Sequence, residues 1–253
     1  MLDKIDLEVI VTIAKEAGDA IMEIYDTDFQ IEYKDDKSPL TEADTKSNEI
    51  ICSALAKAYP EIPLLSEEKK AEAYKVRKNW EYFWLIDPID GTKEFIKKNS
   101  EFTVNIALIH KDTPVLGVVY APALSDMYKA KKGSGAFKNG HKLPLETNVT
   151  PEQSLKVVAS KSHLSKETQA FIDEISKSTE SIKQVSRGSS LKLVMVAEGS
   201  ADIYPRLAPT MEWDTAAADA IVRESGKMTY QFEDDSPVVY NKENLLNPWF
   251  VVR

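Results

Sequence analysis

The segment Tyr82-Phe-Trp-Leu-Ile86, running directly into Asp87-Pro-Ile-Asp90-Gly-Thr92, constrains this chain more than any other. Five consecutive apolar, strand-forming residues predict a strand buried on both faces, and two carboxylates sit at its end. Pro88 keeps Asp87 out of the helical region, and Gly91 permits a sharp turn into a short helix near Lys93. Both carboxylates can then face one point, with the backbone amides of Gly91 and Thr92 at a helix start aimed at an anion. Cation-binding oxygens beside an anion-binding turn outline a phosphate site. Taken alone, the same two acids also read as a turn former and a helix-start acid, which are ordinary uses of aspartate.

Around this strand the pattern divides in two. Leu7, Ile10, Ala14, Ala17, Ile21 and Ile24 recur at three- and four-residue spacing and paint one face of a helix over about 3–25. A second helix is expected from Glu42 to Tyr59, between the polar stretch Lys34 to Pro39 and Pro60. Phe102, Val104, Ile106 and Leu108 alternate, Val115 to Tyr120 reads as a strand, and Asn139-Gly140 marks a tight hairpin. The first lobe, 1–146, is thus helices against a largely antiparallel sheet. From 147 to 253 strands and helices alternate: Leu155 to Ala159, Ser165 to Ser178, Leu191 to Glu198, Ala201 to Tyr204 and Thr215 to Ser225. Such alternation favours a layered second lobe.

Composition excludes several functions. With 43% hydrophobic and 29% charged residues the 253-residue chain can bury a sizeable core. A formal net charge of −9 argues against a broad nucleic-acid or anionic-membrane surface. It still allows one small phosphorylated ligand, held by local donors or by cations on the protein's own carboxylates. Cys52 is the single cysteine, so no internal disulfide forms, and His110, His141 and His163 show no zinc-ligand spacing. Asp3, Lys4, Asp6 and Glu8 interrupt any signal peptide, and no uncharged run approaches the length of a membrane span. A cytoplasmic enzyme is expected, with peripheral membrane association left open. Gly133-Ser-Gly135 sits between strand-like segments and reads as a hairpin rather than a nucleotide loop, and there is no P-loop motif.

Two further acidic signals accompany the central motif. Ser66-Glu67-Glu68 reads plainly as a helix cap followed by acids, and Glu212-Trp-Asp214-Thr-Ala-Ala-Ala218 as Asp214 capping an alanine-packed helix. Together with Asp44 in Leu40-Thr-Glu-Ala-Asp44 they occur in an order that resembles the lithium-sensitive, magnesium-dependent phosphatases, a family including inositol monophosphatase, fructose-1,6-bisphosphatase and 3′(2′),5′-bisphosphate nucleotidase. The resemblance covers nearly the whole chain. It implies an α/β fold of two lobes, a five-layer αβαβα sandwich, with two magnesium ions in the cleft between the lobes and a third left open. It implies that Glu67, Asp87 and the carbonyl of Ile89 hold one ion, and that Asp87, Asp90 and Asp214 hold the other. It further implies that Thr92 and Asp44 form a hydrogen-bonded pair orienting the attacking water, with Glu67 beside them in the catalytic centre, while Glu68 takes no direct part. Four carboxylates in one cleft repel each other unless cations neutralise them, and all-oxygen ligation suits Mg²⁺.

Arg187-Gly-Ser-Ser-Leu-Lys192, Ala201-Asp-Ile-Tyr-Pro-Arg206, Leu246-Asn-Pro-Trp-Phe250 and Ser160-Lys-Ser-His163 look like the bisphosphate-nucleotidase branch of that family. This implies hydrolysis of adenosine 3′,5′-bisphosphate to AMP and phosphate, with His163, Ser189, Lys192 and Arg206 contacting base, sugar or 5′-phosphate. A second phosphate needs its own cationic partner, which Arg and Lys supply in different geometries; the plain alternative is that both are solvated surface charges. Two other readings stand beside this one: a phosphatase of the same family acting on inositol monophosphate or a sugar phosphate, and a catalytically silent magnesium- or nucleotide-binding module. No protein partner is implied.

Overall fold

The computed structural model describes residues 1–33, 39–145, 154–159 and 165–253. The expected boundary at 146–147, most of the polar stretch from Lys34 and the Ser160 to His163 segment lie outside the described residues. In chain order come α1 (Leu7–Tyr25), β1 (Ile31–Tyr33), β2 (Pro39–Thr41), α2 (Glu42–Ala58), β3 (Leu64–Ser66), α3 (Tyr74–Arg77), β4 (Tyr82–Asp90) and α4 (Thr92–Ile96). A meander of β5 (Thr103–His110), β6 (Thr113–Ala121), β7 (Asp126–Lys131), β8 (Gly135–Lys138) and β9 (His141–Lys142) follows. The remainder holds β10 (Leu155–Ala159), α5 (Lys166–Ser176), β11 (Ile182–Ser186), α6 (Leu191–Glu198), β12 (Tyr204–Arg206), α7 (Glu212–Glu224), β13 (Thr229–Gln231) and β14 (Phe250–Val252).

Strand β4 is apolar throughout because it is covered on both sides. Side chains alternate across a strand: Trp84 and Ile86 enter one core with Ile10, Ala14 and Ile51 of α1 and α2, whereas Phe83 and Leu85 enter another with Val194, Ala217 and Ile221 of α6 and α7. The sheet runs β3-β4-β5-β6-β7-β8-β9, with only the β3–β4 pair parallel. Beyond α6 and α7 lie the parallel pair β10–β11 and the sheet β12-β14-β13. Ile172 of α5 closes the stack against Val157 and Ala159. The layers therefore succeed one another as αβαβα.

Helix α7 lies very close to the large sheet. Its Ala216, Ala217, Ala218 and Ala220 are all buried, and Gly117 of β6 sits where a methyl group would overlap the carbonyl of Ala217 and come within 2.9 Å of the Ala220 Cβ. Small residues on both elements let the helix backbone rest on the strands, and this fixes the height at which the helix start meets the end of β4.

Three local expectations need correction. Ser66 does not cap a helix: it ends β3, and Glu67 follows in a turn whose amide donates to the Ile86 carbonyl at 3.1 Å. Asp214 does cap α7, but from its third position, where its carboxylate accepts from the amide of Met211, the residue at the N-cap. The strand expected at Ala201 to Tyr204 begins only at Tyr204, because Asp202 is drawn aside to bond Lys156, accepting from its amide at 2.7 Å and donating to its carbonyl at 2.9 Å. Among the described residues no helix is long and apolar enough to cross a membrane.

Candidate active site

The end of β4 explains how two acids three residues apart reach one place. Opposite β5, Asp87 pairs with Asn105 and Asp90 with Thr103, so three steps on β4 match two on β5. On a regular strand residues 87 and 90 would point to opposite faces; the extra residue of this β-bulge reverses the alternation. Glu67 arrives from the parallel neighbour β3, and Asp214 from the first turn of α7, where its Oδ2 accepts from the Met211 amide at 2.9 Å. Glu67, Asp87 and Asp214 each offer a carboxylate oxygen, all within 4.8 Å of one another.

That crowding is costly in the absence of a cation. Burial pushes the Asp87 carboxyl well above the usual range, and the charges of Glu67, Asp90 and Asp214 push it further. Asp214 is raised in the same way by burial and then by Asp90, with the Met211 amide opposing. Asp90 is raised by burial, against the opposing pull of Lys192 and the Ser190 amide. A cluster of hard oxygen donors whose charges nearby protein cations offset only in part is the donor set that a small divalent cation such as Mg²⁺ fits.

Beside the cluster, Asp44 is the third residue of α2 and is 2% exposed. Its Oδ2 accepts from the Thr41 amide at 2.8 Å and from the Thr41 hydroxyl at 2.6 Å, a capping box across the helix start. Its Oδ1 accepts from the Thr92 hydroxyl at 3.2 Å, while that hydroxyl also lies 3.3 Å from the Ile89 carbonyl oxygen. Burial raises the Asp44 carboxyl to about 6, with the hydrogen bonds from Thr41 opposing.

The third wall comes from the turn into α6. Gly91 has φ of 92°, and a side chain there would press on the Glu101 carbonyl and the Ser189 Cβ. Ser189 itself takes the left-handed conformation, φ 47°. The next residue, Ser190, donates its amide to Asp90 Oδ2 at 2.5 Å and its hydroxyl to Asn105 Oδ1 at 3.0 Å, and lies 2.8 Å from the Thr103 hydroxyl. Lys192 is 7% exposed; its ammonium donates to the Ser189 carbonyl at 2.6 Å, and burial pushes its pKa down to about 8 against the pull of Asp90. Arg206, on β12, donates from Nη2 to the Pro209 carbonyl at 2.9 Å and keeps a buried Nε without a partner.

One cleft gathers Glu67, Asp90 and Asp214 with Gly91, Thr92, Ser189, Lys192 and Arg206. Asp87 and Asp44 are buried, at 1% and 2% exposure, and do not line the cleft, and Ile89, between Asp87 and Asp90 in sequence, is buried as well. His163 lies outside the described residues. Lys192 is not a solvated surface charge, since its helix is otherwise Leu, Val, Met and Ala up to Glu198. The sequence reading missed Thr41, Ser190, Asn105 and Thr103, which hold Asp44 and Asp90. Only the first carried a local signal, the Thr-x-x-Asp spacing of a capping box.

Known proteins are similar to this chain over nearly its full length. Residues 4–248 match the inositol monophosphatase family. A protein of Salmonella typhimurium named 3′(2′),5′-bisphosphate nucleotidase CysQ is 44% identical over 248 residues, covering 97% of this chain and 98% of that protein. Its namesake in Escherichia coli K12 is 41% identical over 249 residues, with the same coverage. The crystal structure of CysQ from Bacteroides thetaiotaomicron superposes with a TM-score of 0.88 at 42% identity, covering 98% of this chain and 96% of that one.

Proposed function

The chain belongs to the inositol monophosphatase family, and from that premise we propose that it is a magnesium-dependent 3′(2′),5′-bisphosphate nucleotidase that hydrolyses adenosine 3′,5′-bisphosphate to AMP and phosphate. The observation that carries this reading is the meeting of two unlike charge centres in one cleft: the carboxylates of Glu67, Asp90 and Asp214, and the cations of Lys192 and Arg206. A monophosphatase needs only the first. A bisphosphate must place one phosphate at the carboxylate cluster and the other against donors at a distance.

Glu67, Asp87 and the Ile89 carbonyl are assigned to one cation, and Asp87, Asp90 and Asp214 to a second. Magnesium held by these oxygens supplies positive charge against the transferring phosphoryl group and lowers the pKa of water. The protein's own part is positional. The Thr92 hydroxyl, with its hydrogen directed at Asp44 Oδ1, presents its oxygen to a water and accepts that water's hydrogen. Asp44, whose carboxyl is raised to about 6, can receive a proton relayed through Thr92 near neutral pH. Gly91 and Ser189 close the same side of the cleft, and Lys192 and Arg206 face the second phosphate with a point charge and a planar fork.

Kinetics on a panel of phosphomonoesters tests this reading. It expects the highest kcat/KM on adenosine 3′,5′-bisphosphate, lower values on inositol monophosphate, and phosphate release only with magnesium. A preference for inositol monophosphate would overturn the nucleotidase assignment; no release from any substrate would overturn catalysis itself.

A further inference from the structure

The segment Leu246-Asn-Pro-Trp-Phe250 stands out in the sequence, yet none of the chemistry above uses its asparagine. Asn247 is 5% exposed and lies one layer behind the cleft. Its Nδ2 donates to the Met211 carbonyl at 2.8 Å and lies 3.0 and 3.2 Å from the hydroxyls of Thr215 and Thr210. Because a carbonyl only accepts, the Met211 contact fixes which end of the amide is nitrogen. The Asn247 backbone amide donates to the Thr210 carbonyl at 2.8 Å. That carbonyl belongs to the same peptide unit as the Met211 amide, which in turn holds Asp214 Oδ2 at 2.9 Å. Asn247 therefore grips both carbonyls that flank Met211, the residue whose N–H aims the Asp214 carboxylate.

The same stretch of chain wraps the other side of the helix start. The Glu212 amide donates to the Leu245 carbonyl at 2.9 Å. The fully buried Glu212 carboxylate accepts from the amides of Asn241 and Lys242 at 2.7 and 3.0 Å and from the Lys242 ammonium at 2.6 Å. Asn241 is in turn clasped by the buried Arg77, whose Nη1 donates to its Oδ1 at 3.0 Å and whose carbonyl accepts from its Nδ2 at 2.8 Å. A helix start held from two sides by one segment cannot rotate or lift without breaking that lattice.

We propose that Asn247 is a positioning residue for cation binding: by holding the Thr210–Met211 turn it keeps the Asp214 carboxylate facing Glu67 and Asp87, and so sets the affinity of the cluster for Mg²⁺. This rests on the reading of Asp214 as a metal ligand. Groups that orient a ligand from behind it commonly contribute about 10- to 100-fold in metal affinity.

Isothermal titration of chelator-stripped protein with Mg²⁺, without substrate, tests the inference. Asn247→Ala should bind Mg²⁺ about tenfold more weakly or worse, with the Mg²⁺ midpoint for phosphate release moving by the same factor and KM at saturating Mg²⁺ unchanged. Asn247→Ser, which replaces the amide donor by a shorter hydroxyl donor, should fall between and is read in the same way should the alanine variant not fold. Ile172→Ala, in the small core under α5, weakens the fold without touching α7 and should leave the Mg²⁺ affinity as it is. Unchanged Mg²⁺ affinity in folded Asn247 variants, or an equal loss in Ile172→Ala, would overturn the role of Asn247. A wild-type protein that binds no Mg²⁺ would instead overturn the metal-ligand reading, and the inference with it.

Discussion

Replacing Asp44 by asparagine should make the cation-free protein more stable and the enzyme inactive. Burial lifts the Asp44 carboxyl from the ordinary 3.8 to about 6, so the folded state holds its proton more tightly than the unfolded chain. The associated stability is present in full below 3.8 and is lost as pH rises through about 6. At about 1.36 kcal/mol per pKa unit, the ionised carboxylate costs the folded protein up to about 3 kcal/mol at about pH 7.5. Asparagine has nearly the same shape and no charge. Its oxygen can still accept from the Thr41 amide and hydroxyl, which meet Oδ2 in the wild type, but its nitrogen would then face the Thr92 hydroxyl. That hydroxyl becomes an acceptor there, and the asparagine cannot take a proton relayed through it. We expect chelator-treated Asp44→Asn to gain up to about 3 kcal/mol in chemical denaturation at about pH 7.5, or roughly 6–12 °C in Tm for a chain of this size. The gain should shrink to about half at about pH 5, as the wild-type carboxyl takes up its proton. With Mg²⁺ restored, kcat should fall at least about a hundredfold. A variant that is less stable than wild type at about pH 7.5, or a gain that does not shrink on acidification, would refute the argument.

Gly117→Ala should destabilise the protein by about 1–3 kcal/mol in urea denaturation, because the added methyl drives α7 off the sheet at Ala217; an unchanged midpoint would show that the helix can shift freely. Asp90→Asn should nearly abolish turnover and remove one cation from the calorimetric stoichiometry while leaving the circular dichroism spectrum as it was. Arg206→Ala should lower kcat/KM for adenosine 3′,5′-bisphosphate by about ten- to a hundredfold, the worth of one charge-assisted contact, yet hardly affect a substrate with a single phosphate. Equal losses on both substrates would place Arg206 in the support of the fold instead.

Local pattern carried much of this structure. The apolar run of β4 and the 3.6-residue period of α1 are consequences of burial that any chain must write into its sequence, and α6 runs over the expected residues, Leu191–Glu198. The short strands β13 and β14 escaped notice because three residues leave no period to read. The bulge at Asp87–Asp90 also has no local signature; it exists only against the register of β5. The acids were legible as a group, through their order along the chain, but the groups that hold them were not. Ser190, Asn105 and Thr103 are ordinary polar residues until folding brings residue 190 beside residues 90 and 105. Lys192 offered one clue: a lone cation in an otherwise apolar helix is either out of place or in use.

Whether the acidic cluster works through a cation is decided most directly by ³¹P NMR of adenosine 3′,5′-bisphosphate incubated with chelator-stripped enzyme, before and after Mg²⁺ is returned. The account predicts an unchanged substrate spectrum without Mg²⁺, and with it the appearance of inorganic phosphate and AMP as the 3′-phosphate resonance disappears. Phosphate release in excess chelator would contradict it, and so would loss of the 5′-phosphate in place of the 3′.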